Sequence, residues 1–314
     1  MSWFNRKQPG PVPATAHSKA IELARRFRVG ALIAKGGNSK VHEATDLRTG
    51  NPVAVKLIPL PPDLAGPQRQ EWLARLRREA DLGRRLEHPD IVAVLDAGLS
   101  GDHAWMAMER VRGADLSRYT QPTRLLPEAE VLHIGARVAG ALAHAHAKGV
   151  VHRDLKPANV LVNLGAHQVK LGDFGVARPD DTRLTRTGIT LGTPAYMAPE
   201  LLAGAAATPA SDAYALGVML FELLAGRRPH AADTLGELLK ATAQQRPMAL
   251  ALLRPDLPAP VVVAIEQLLT REPSRRPADL AAWGSYVESL AALMTRLLAP
   301  TLAPTLAPTL PPPV

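Results

Sequence analysis

The chain has 314 residues, 46% of them hydrophobic and 21% charged, which allows a sizeable buried core in one large domain or two lobes. The absence of cysteine excludes a disulfide framework and thiolate metal sites, and it fits a reducing compartment. A formal charge of +8 favours acidic partners such as nucleotides. With only four residues each of Phe, Tyr and Trp, however, a base-stacking nucleic-acid surface is not expected.

The two ends of the chain lack the patterns of packed structure. Residues 1–26 are polar and punctuated by proline, which predicts a flexible leader, and they lack the apolar core of a signal peptide. Residues 291–314 end in APTL repeats and predict a Pro-rich, low-complexity tail. No run approaches the ~18 apolar residues of a membrane-spanning helix. We therefore expect a soluble, cytoplasmic chain without a membrane partner.

The patterned region begins with short strands. Segments 27–34, 40–46 and 52–58 are rich in β-branched and apolar residues and are separated by turn signals. After a helix predicted over 68–87, which Gly83 interrupts, two further apolar runs complete a five-stranded antiparallel sheet. These runs span 91–97 and 104–109.

The second half of the chain is helical. An amphipathic helix opens at Pro127 and ends at Gly149, and residues 211–225 are apolar nearly all round, which indicates a helix buried inside a large lobe. Shorter helices are predicted over 234–245, 261–271 and 278–297. The fold class predicted from these elements is α+β.

The stretch from His152 to Gly175 holds the chemistry-bearing residues. Asp154, Asn159 and Asp173 supply an acid, an amide and a second acid, which suit a reaction that needs an oriented nucleophile and a metal held against phosphates. The apolar residues between Asn159 and Asp173 predict a hairpin that holds both side chains rigidly.

This stretch, H-R-D-L-x-x-x-N followed by D-F-G, closely resembles the catalytic and metal-binding loops of protein kinases. Together with the V-A-V-K sequence ending at Lys56 and the G-T-P-A-Y-M-A-P-E sequence over 192–200, it resembles the bacterial branch of the Hanks-type serine/threonine kinases. The resemblance covers roughly residues 27–290. It implies a two-lobed fold with a small β lobe over 27–108, a hinge over 109–115 and a larger, mostly helical lobe over 116–290.

The resemblance also implies catalytic roles. Asp154 would be the base that accepts the proton of the substrate hydroxyl, and Lys156 would neutralise charge on the transferring phosphoryl group. Lys56 would hold the α- and β-phosphates of ATP and pair with Glu79. The metal is expected to be Mg²⁺, with Mn²⁺ as an alternative, held by Asn159 and Asp173.

The phosphate-binding loop departs from the family pattern G-x-G-x-x-G-x-V. Gly36 stands in the middle position, Ala34 and Ser39 replace the outer glycines, and Gly37 is an extra glycine. The resemblance places further contacts to ATP on both lobes. The full predicted set is Ile33, Ala34, Gly36, Gly37, Val41, Ala54, Lys56, Met108, Glu109, Val111, Asp115 and Leu161.

Two supporting contacts and a regulatory segment follow from the same resemblance. Asp212 would brace the catalytic loop, and Arg276 would pair with Glu200. Arg153 beside the catalytic aspartate is typical of kinases switched on by phosphorylation, for which Thr185 and Thr187 are the predicted sites. The alternative for that segment is a polar loop whose threonines are never modified.

The function predicted is transfer of the ATP γ-phosphoryl group to Ser/Thr hydroxyls of proteins, since Lys156 and Thr193 resemble the serine/threonine branch. The partners expected are protein substrates, a cognate phosphatase and a second copy of the chain for trans-autophosphorylation. One alternative is an ATP-binding pseudokinase scaffold with weak or no catalysis, which the substituted loop at 34–39 favours. Another is a small-molecule kinase, against which the 192–200 segment argues.

Overall fold

The computed structural model describes residues 22–36, 39–60, 66–174, 194–230, 232, 234–244 and 246–298. In the first helix it leaves out the side chains of Glu71, Leu73, Arg75, Leu76 and Glu79. The described residues divide into two compact units. One unit comprises 95–110 and the described residues before 66, and the other comprises 66–94 and the described residues from 111 onward.

The first unit is built on a six-stranded sheet with the order β1-β2-β3-β4-β6-β5. The strands are β1 (Glu22–Leu23), β2 (Phe27–Lys35), β3 (Lys40–Asp46), β4 (Pro52–Pro59), β5 (Val94–Ser100) and β6 (His103–Glu109). Its core is a small apolar cluster in which the rings of Phe27 and Trp105 meet edge to face at 5.7 Å.

The sheet corrects the predicted count of five strands. The additional strand, β1, lies inside the segment predicted as a leader and pairs antiparallel with β2, with Leu23 opposite Phe27. Leu23 is 1% exposed, so its burial secures a strand of only two residues, which is too short to show alternation in sequence. The fifth strand, β5, begins three residues later than the predicted 91–97 segment.

The described residues of the second unit form eight helices and a small sheet, and most of these elements contribute to one large apolar core. The helices are α1 (Gly66–Arg85), α2 (Glu128–Ala147), α3 (Pro199–Leu202), α4 (Pro209–Ala225), α5 (Leu235–Gln244), α6 (Leu250–Leu253), α7 (Ala259–Leu268) and α8 (Leu280–Leu298). The sheet has the order β7-β8-β9, with β7 (Ala114–Asp115), β8 (Val160–Asn163) and β9 (Gln168–Leu171). No helix in the described part of the chain is long and apolar enough to cross a membrane.

Helix α4 lies at the centre of this unit and is buried on all sides from Ser211 to Leu224, as its sequence predicts. Thr208 and Ser211 form a capping box at its start, and Pro209 occupies the first turn, where its missing N–H is harmless. Gly226 ends the helix at a φ of 70°, a left-handed conformation that favours glycine. Because both ends are fixed, the polar side chains of α4 have defined positions in an apolar surrounding.

Helix α1 lies close to the start of β5 at Gly83. A Cβ atom added to this glycine would lie 2.9 Å from Cγ2 of Val94, closer than two such carbons approach. Gly83, which interrupts the helix predicted from sequence, is therefore in tight contact with Val94 on this side of the helix. The glycine is therefore what allows α1 to approach Val94.

Arg276 connects three segments of the second unit. Its guanidinium donates two hydrogen bonds to the Glu200 carboxylate at 2.5 and 2.8 Å and lies 5.0 Å from the centre of the Tyr214 ring. It also donates to the backbone oxygens of Thr270, Ala210 and Arg271. The predicted pair of Arg276 with Glu200 is confirmed, and the Arg276 side chain is fully buried.

We expect Arg276→Ala to lower the free energy of unfolding by about 3–5 kcal/mol, because the Glu200 carboxylate would remain without its partner in a largely buried site. The neighbouring Arg275 is exposed, so Arg275→Ala is the matched control and should unfold like wild type. Chemical denaturation of the three proteins measures the difference. Equal stability of the two variants would contradict the role given to the pair.

Two histidines meet where the segment after α1 passes α2. The ring centres of His88 and His144 are 5.1 Å apart, and the N–H of Asp90 donates to Nδ1 of His88 at 3.0 Å. Nε2 of His144 is buried without a hydrogen-bond partner among the described residues. Burial lowers the pKa of His88, with smaller contributions from His144, Lys170 and Arg137 in the same direction and from Asp90 in the opposite one.

Because the pKa of His88 is lower in the folded protein than in the unfolded chain, the unfolded chain binds the proton first as the pH falls through about 6.5. Folding stability should therefore decrease between pH 7 and pH 5. His88→Asn keeps a hydrogen-bond acceptor without a titrating group, so its melting temperature should fall less over this range. His103→Asn replaces an exposed histidine and serves as the control. A pH dependence of His88→Asn equal to that of wild type would refute this account.

Candidate active site

Three strands of the first unit bring predicted nucleotide contacts onto one face. Val41 of β3 lies opposite Lys56 of β4, and Ala54 of β4 lies opposite Met108 of β6. Ala54 and Lys56 are two residues apart in a strand, so their side chains point to the same side of the sheet. Four residues from three strands therefore share one surface, on which Lys56 is half-buried.

The turn that connects β2 to β3 carries the substituted glycines, and the structure describes it only at its two ends, Gly36 and Ser39. The N–H of Gly36 donates to the backbone oxygen of Ser39 at 2.8 Å, and a Cβ at Gly36 would lie 3.1 Å from Oγ of Ser39. Ile33 and Ala34 lie near the end of β2, directly before this turn. Gly37 lies outside the described residues.

The predicted hinge residues occupy the stretch where the chain passes from the first unit to the second. Glu109 is the last residue of β6 in the first unit. Val111 is the first residue after β6 that belongs to the second unit. Asp115 and Leu161 lie opposite each other in the pairing of β7 with β8. The Asp115 carboxylate also accepts a hydrogen bond from the N–H of Ser117 at 2.9 Å, which fixes its orientation.

The Asp212 carboxylate anchors the catalytic loop to α4. One oxygen, Oδ2, accepts from the N–H of His152 at 2.8 Å, and the other, Oδ1, accepts from the N–H of Arg153 at 3.0 Å. Nε2 of His146 lies 2.8 Å from Oδ2 as well. Asp212 is 2% exposed, and these contacts compensate its burial. The predicted contact of Asp212 with the catalytic loop is present, whereas the contact of His146 with Asp212 was not predicted from the sequence.

Arg153 has a φ of 69°, a left-handed conformation that is unfavourable for a residue with a side chain. The hydrogen bonds from His152 and Arg153 to Asp212 hold the backbone in this state. Such strain is typical of functional loops, where the surrounding structure fixes an unusual direction of the chain. At Arg153 the left-handed conformation changes the direction of the chain immediately before Asp154.

His152 connects the catalytic loop to the predicted metal-binding segment. Its Nδ1 accepts from the N–H of Asp154 at 3.3 Å, so the hydrogen is on Nε2, which donates to the backbone oxygen of Gly172 at 2.9 Å. The ring of Phe174 lies 4.7 Å from the His152 ring. The fully buried His152 therefore links the chain before Asp154 with the chain on both sides of Asp173.

Lys156 and Asn159 surround the side chain of Asp154. Nζ of Lys156 donates to Oδ2 of Asp154 at 2.9 Å. The amide nitrogen of Asn159 donates to the backbone oxygen of Asp154 at 2.8 Å and lies 3.4 Å from Oδ2. An acid, a cation and an amide thus form one cluster, in which the carboxylate is held at one position beside an ammonium group.

The predicted hairpin between Asn159 and Asp173 is confirmed by the antiparallel pairing of β8 with β9. At its open end the N–H of Gly172 donates to the backbone oxygen of Asn159 at 2.9 Å. Asp173 follows at a φ of 57° and is exposed to solvent. The hairpin therefore fixes the two predicted metal ligands, although they are far apart in sequence.

The donor atoms of this pair are compatible with a magnesium ion. The amide nitrogen of Asn159 is engaged by Asp154, so its carbonyl oxygen is the atom suited to a metal, and the Asp173 carboxylate is a second hard oxygen donor. Within the described ranges there is no cluster of three or more His, Cys, Asp or Glu side chains. Mg²⁺ commonly uses only one or two protein groups together with phosphates, so two donors suffice.

The segment that begins at Pro194 is held by a buried acid. The Tyr196 hydroxyl donates to Oε2 of Glu222 at 2.5 Å. Burial raises the pKa of Glu222, and burial beside this acid also raises the pKa of Tyr196. The bond therefore attaches the Tyr196 side chain to α4, the same helix that carries Asp212.

Some predicted residues lie where the structure gives no description. Thr185 and Thr187 fall in the range 175–193, which lies outside the described residues, and so does Thr193. Glu79 lies in α1, but its side chain is outside the described part, so its predicted pair with Lys56 stays a prediction.

Comparison with known proteins identifies the family. The protein kinase domain family matches residues 27–291, nearly the 27–290 expected from sequence. The probable serine/threonine-protein kinase pknA2 of Bifidobacterium longum is 36% identical over 269 residues, which are 85% of this chain and 35% of that protein. The serine/threonine-protein kinase PknA of Mycobacterium tuberculosis is 38% identical over 280 residues, which are 87% of this chain and 62% of that protein. The chain thus spans less than two thirds of the length of either relative.

A solved structure shows the same fold. The kinase domain of PknI from Mycobacterium tuberculosis superposes with a TM-score of 0.68 at 29% identity, covering 88% of this chain and 100% of that one. The chain belongs to the protein kinase family, and its relatives place it in the bacterial branch of the Hanks-type serine/threonine kinases.

Proposed function

We propose that the chain is an active serine/threonine protein kinase, which transfers the γ-phosphoryl group of ATP to hydroxyls of proteins. The observation that carries this proposal is the position of the Asp154 carboxylate. It lies against Lys156 and Asn159, on a loop fixed to the buried Asp212. A general base must be held in place before its substrate arrives, and this arrangement meets that requirement.

In the proposed reaction the substrate hydroxyl gives its proton to the Asp154 carboxylate as its oxygen bonds to the γ-phosphorus. The bond from the γ-phosphorus to the bridging oxygen breaks, and ADP leaves with the electron pair. Lys156 lies 2.9 Å from the base and supplies positive charge beside the transferring group. The function of these residues is to orient the hydroxyl and to stabilise developing charge.

ATP and Mg²⁺ are the proposed cofactors, with Mn²⁺ as an alternative metal. Asn159 and Asp173 would hold the ion, which supplies positive charge to the phosphates. Lys56 would hold the α- and β-phosphates, supported by Glu79. The face formed by Val41, Ala54, Lys56 and Met108 supports the adenine and phosphate contacts proposed for the first unit.

The protein substrates are proposed to present serine or threonine, because the named relatives are serine/threonine-protein kinases and share the family of this chain. A cognate phosphatase and trans-autophosphorylation between two copies are part of the same proposal. The proposal also includes that the chain acts in the cytoplasm, where ATP is supplied. The proposed regulatory sites are Thr185 and Thr187, whose phosphates would meet the Arg153 guanidinium.

The experiment is an incubation of the full chain with radiolabelled ATP, Mg²⁺ and a generic protein acceptor. Wild type should label the acceptor on serine and threonine, and mass spectrometry should find phosphate on Thr185 or Thr187. Asp154→Asn keeps the size of the side chain but removes the base, so labelling should fall about a hundredfold or more.

Asp102→Asn makes the same chemical change at an exposed turn and should leave labelling unchanged. Label transfer by Asp154→Asn equal to that by wild type would refute the mechanism. Binding of ATP without transfer by wild type would favour the pseudokinase alternative.

A further inference from the structure

The strand that leads to Asp173 is held on one side by the 88–92 segment, which follows α1 in the second unit. The N–H of Leu171, the last residue of β9, donates to the backbone oxygen of Asp90 at 2.8 Å, and the N–H of Val92 donates to the backbone oxygen of Leu171 at 2.9 Å. Leu171 is fully buried, so both of its main-chain groups depend on these protein partners. The 88–92 segment therefore fixes the chain two residues before Asp173.

The conformation of the 88–92 segment depends on the His88 ring. Its Nδ1 accepts from the N–H of Asp90 at 3.0 Å, and the backbone oxygen of His88 accepts from the N–H of Ile91 at 3.1 Å. The two bonds together make a turn that ends at Ile91. An imidazole nitrogen accepts a hydrogen bond only while it carries no hydrogen, so His88 is neutral and its hydrogen is on Nε2. The observed turn therefore requires the neutral form of His88.

A proton on Nδ1 of His88 would convert this acceptor into a donor. The N–H of the ring and the N–H of Asp90 would then face each other. Because Asp90 is 7% exposed, its N–H would lose its bond in a place where water does not easily replace it. The backbone at Asp90 has to rotate to relieve this contact, and the carbonyl of the same residue holds Leu171. A change at His88 therefore reaches β9 through a single residue.

The surroundings of the His88 ring favour its neutral form. The His144 ring on α2 lies 5.1 Å away, and its Nε2 is buried without a hydrogen-bond partner among the described residues. Arg137 on α2 and the buried Lys170 on β9 add two positive charges, and Nε of Arg137 donates to the carboxylate of Asp90 at 3.0 Å. Burial of the ring is the largest cause that lowers the pKa of His88, and these cations act in the same direction, whereas Asp90 acts in the opposite one. The ring therefore takes up a proton only below its ordinary pKa of about 6.5.

We propose that His88 is a positioning residue for Asp173 and that it acts only in its neutral form. Its Nδ1 holds the N–H of Asp90, and the Asp90 carbonyl holds Leu171, two residues before the predicted metal ligand. A proton on His88 breaks the first of these bonds and allows the end of β9 to move. The inference rests on the proposed function, in which Asp173 holds the metal ion, so phosphoryl transfer would decrease in acid.

The test is a nuclear magnetic resonance titration of the full chain from about pH 8 to about pH 5, dephosphorylated and without ATP or Mg²⁺. In wild type the amide signals of Leu171 and Asp173 should shift with the same midpoint as the Nδ1 signal of His88. His88→Asn is the conservative variant, because an asparagine oxygen accepts from the N–H two residues later and does not titrate. Its Leu171 and Asp173 signals should lie near the high-pH positions of wild type and lose most of the pH-dependent shift.

His88→Phe keeps an aromatic ring beside His144 but has no acceptor, so it imitates the loss of the bond to Asp90. Its Leu171 signal should lie near the low-pH position of wild type throughout the titration. The comparison of wild type with His88→Asn decides the matter by itself if His88→Phe does not fold.

His103→Asn removes an exposed histidine and is the matched control, which should show the shifts of wild type. Any small remainder of the shift in His88→Asn reports other titrating groups, such as His152, which bonds to Gly172. The proposal is overturned if the His88 ring stays neutral down to about pH 5, if the Leu171 signal does not follow its midpoint, or if His88→Asn shows the full shift of wild type. Because neither ATP nor metal is present, failure here is distinguishable from failure of the proposed phosphoryl transfer.

Discussion

The buried Asp212 carboxylate is the interaction on which the proposed catalytic site depends. A charge at 2% exposure is strongly unfavourable unless its oxygens are satisfied, and here two backbone N–H groups and the His146 ring surround it. The arrangement works because α4 is buried on all sides and fixed at both ends, so the carboxylate cannot move away. The loop that carries Asp154 is therefore attached to a helix that is buried in the core of the unit.

The contacts that connect Asp212 to the rest of the proposed catalytic site are made mainly to backbone groups. Asp212 holds Arg153 in a left-handed conformation, and His152 bonds to both Asp154 and Gly172. The β8–β9 hairpin then returns the chain, so that Gly172, the residue before Asp173, bonds to the backbone oxygen of Asn159. Because these bonds hold the main chain of His152, Arg153 and Asp154, they position the loop without using the side chains of Arg153 and Asp154.

Much of this arrangement could be predicted from the sequence because it depends on local signals. Proline and glycine delimit α2 and α4, the apolar run of α4 indicates its burial, and the spacing from Asn159 to Asp173 predicts the hairpin. Strand β1 was not predicted because two residues are too few to show an alternating pattern. It is held in place by the burial of Leu23. A short strand held by tertiary contact gives no local signal.

The contacts that the sequence did not predict join segments that are distant in sequence. His146 precedes the catalytic stretch by six residues, but its contact to Asp212 depends on how α2 and α4 pack. The ring contact of His88 with His144 likewise joins two segments far apart in sequence. At Gly83 the sequence shows only a glycine inside a helical pattern, and it could not show that Val94 lies against this side of the helix.

The central claim is that Asp212 positions the catalytic loop without touching substrate, and the steady-state kinetics of Asp212→Asn test it most directly. An asparagine would turn an amide N–H₂ toward one of the two backbone N–H donors, so the loop would shift. The account predicts that kcat falls about a hundredfold, as expected for a displaced catalytic group, while the KM for ATP changes little and the protein stays folded. A folded Asp212→Asn protein with the kcat of wild type would contradict it.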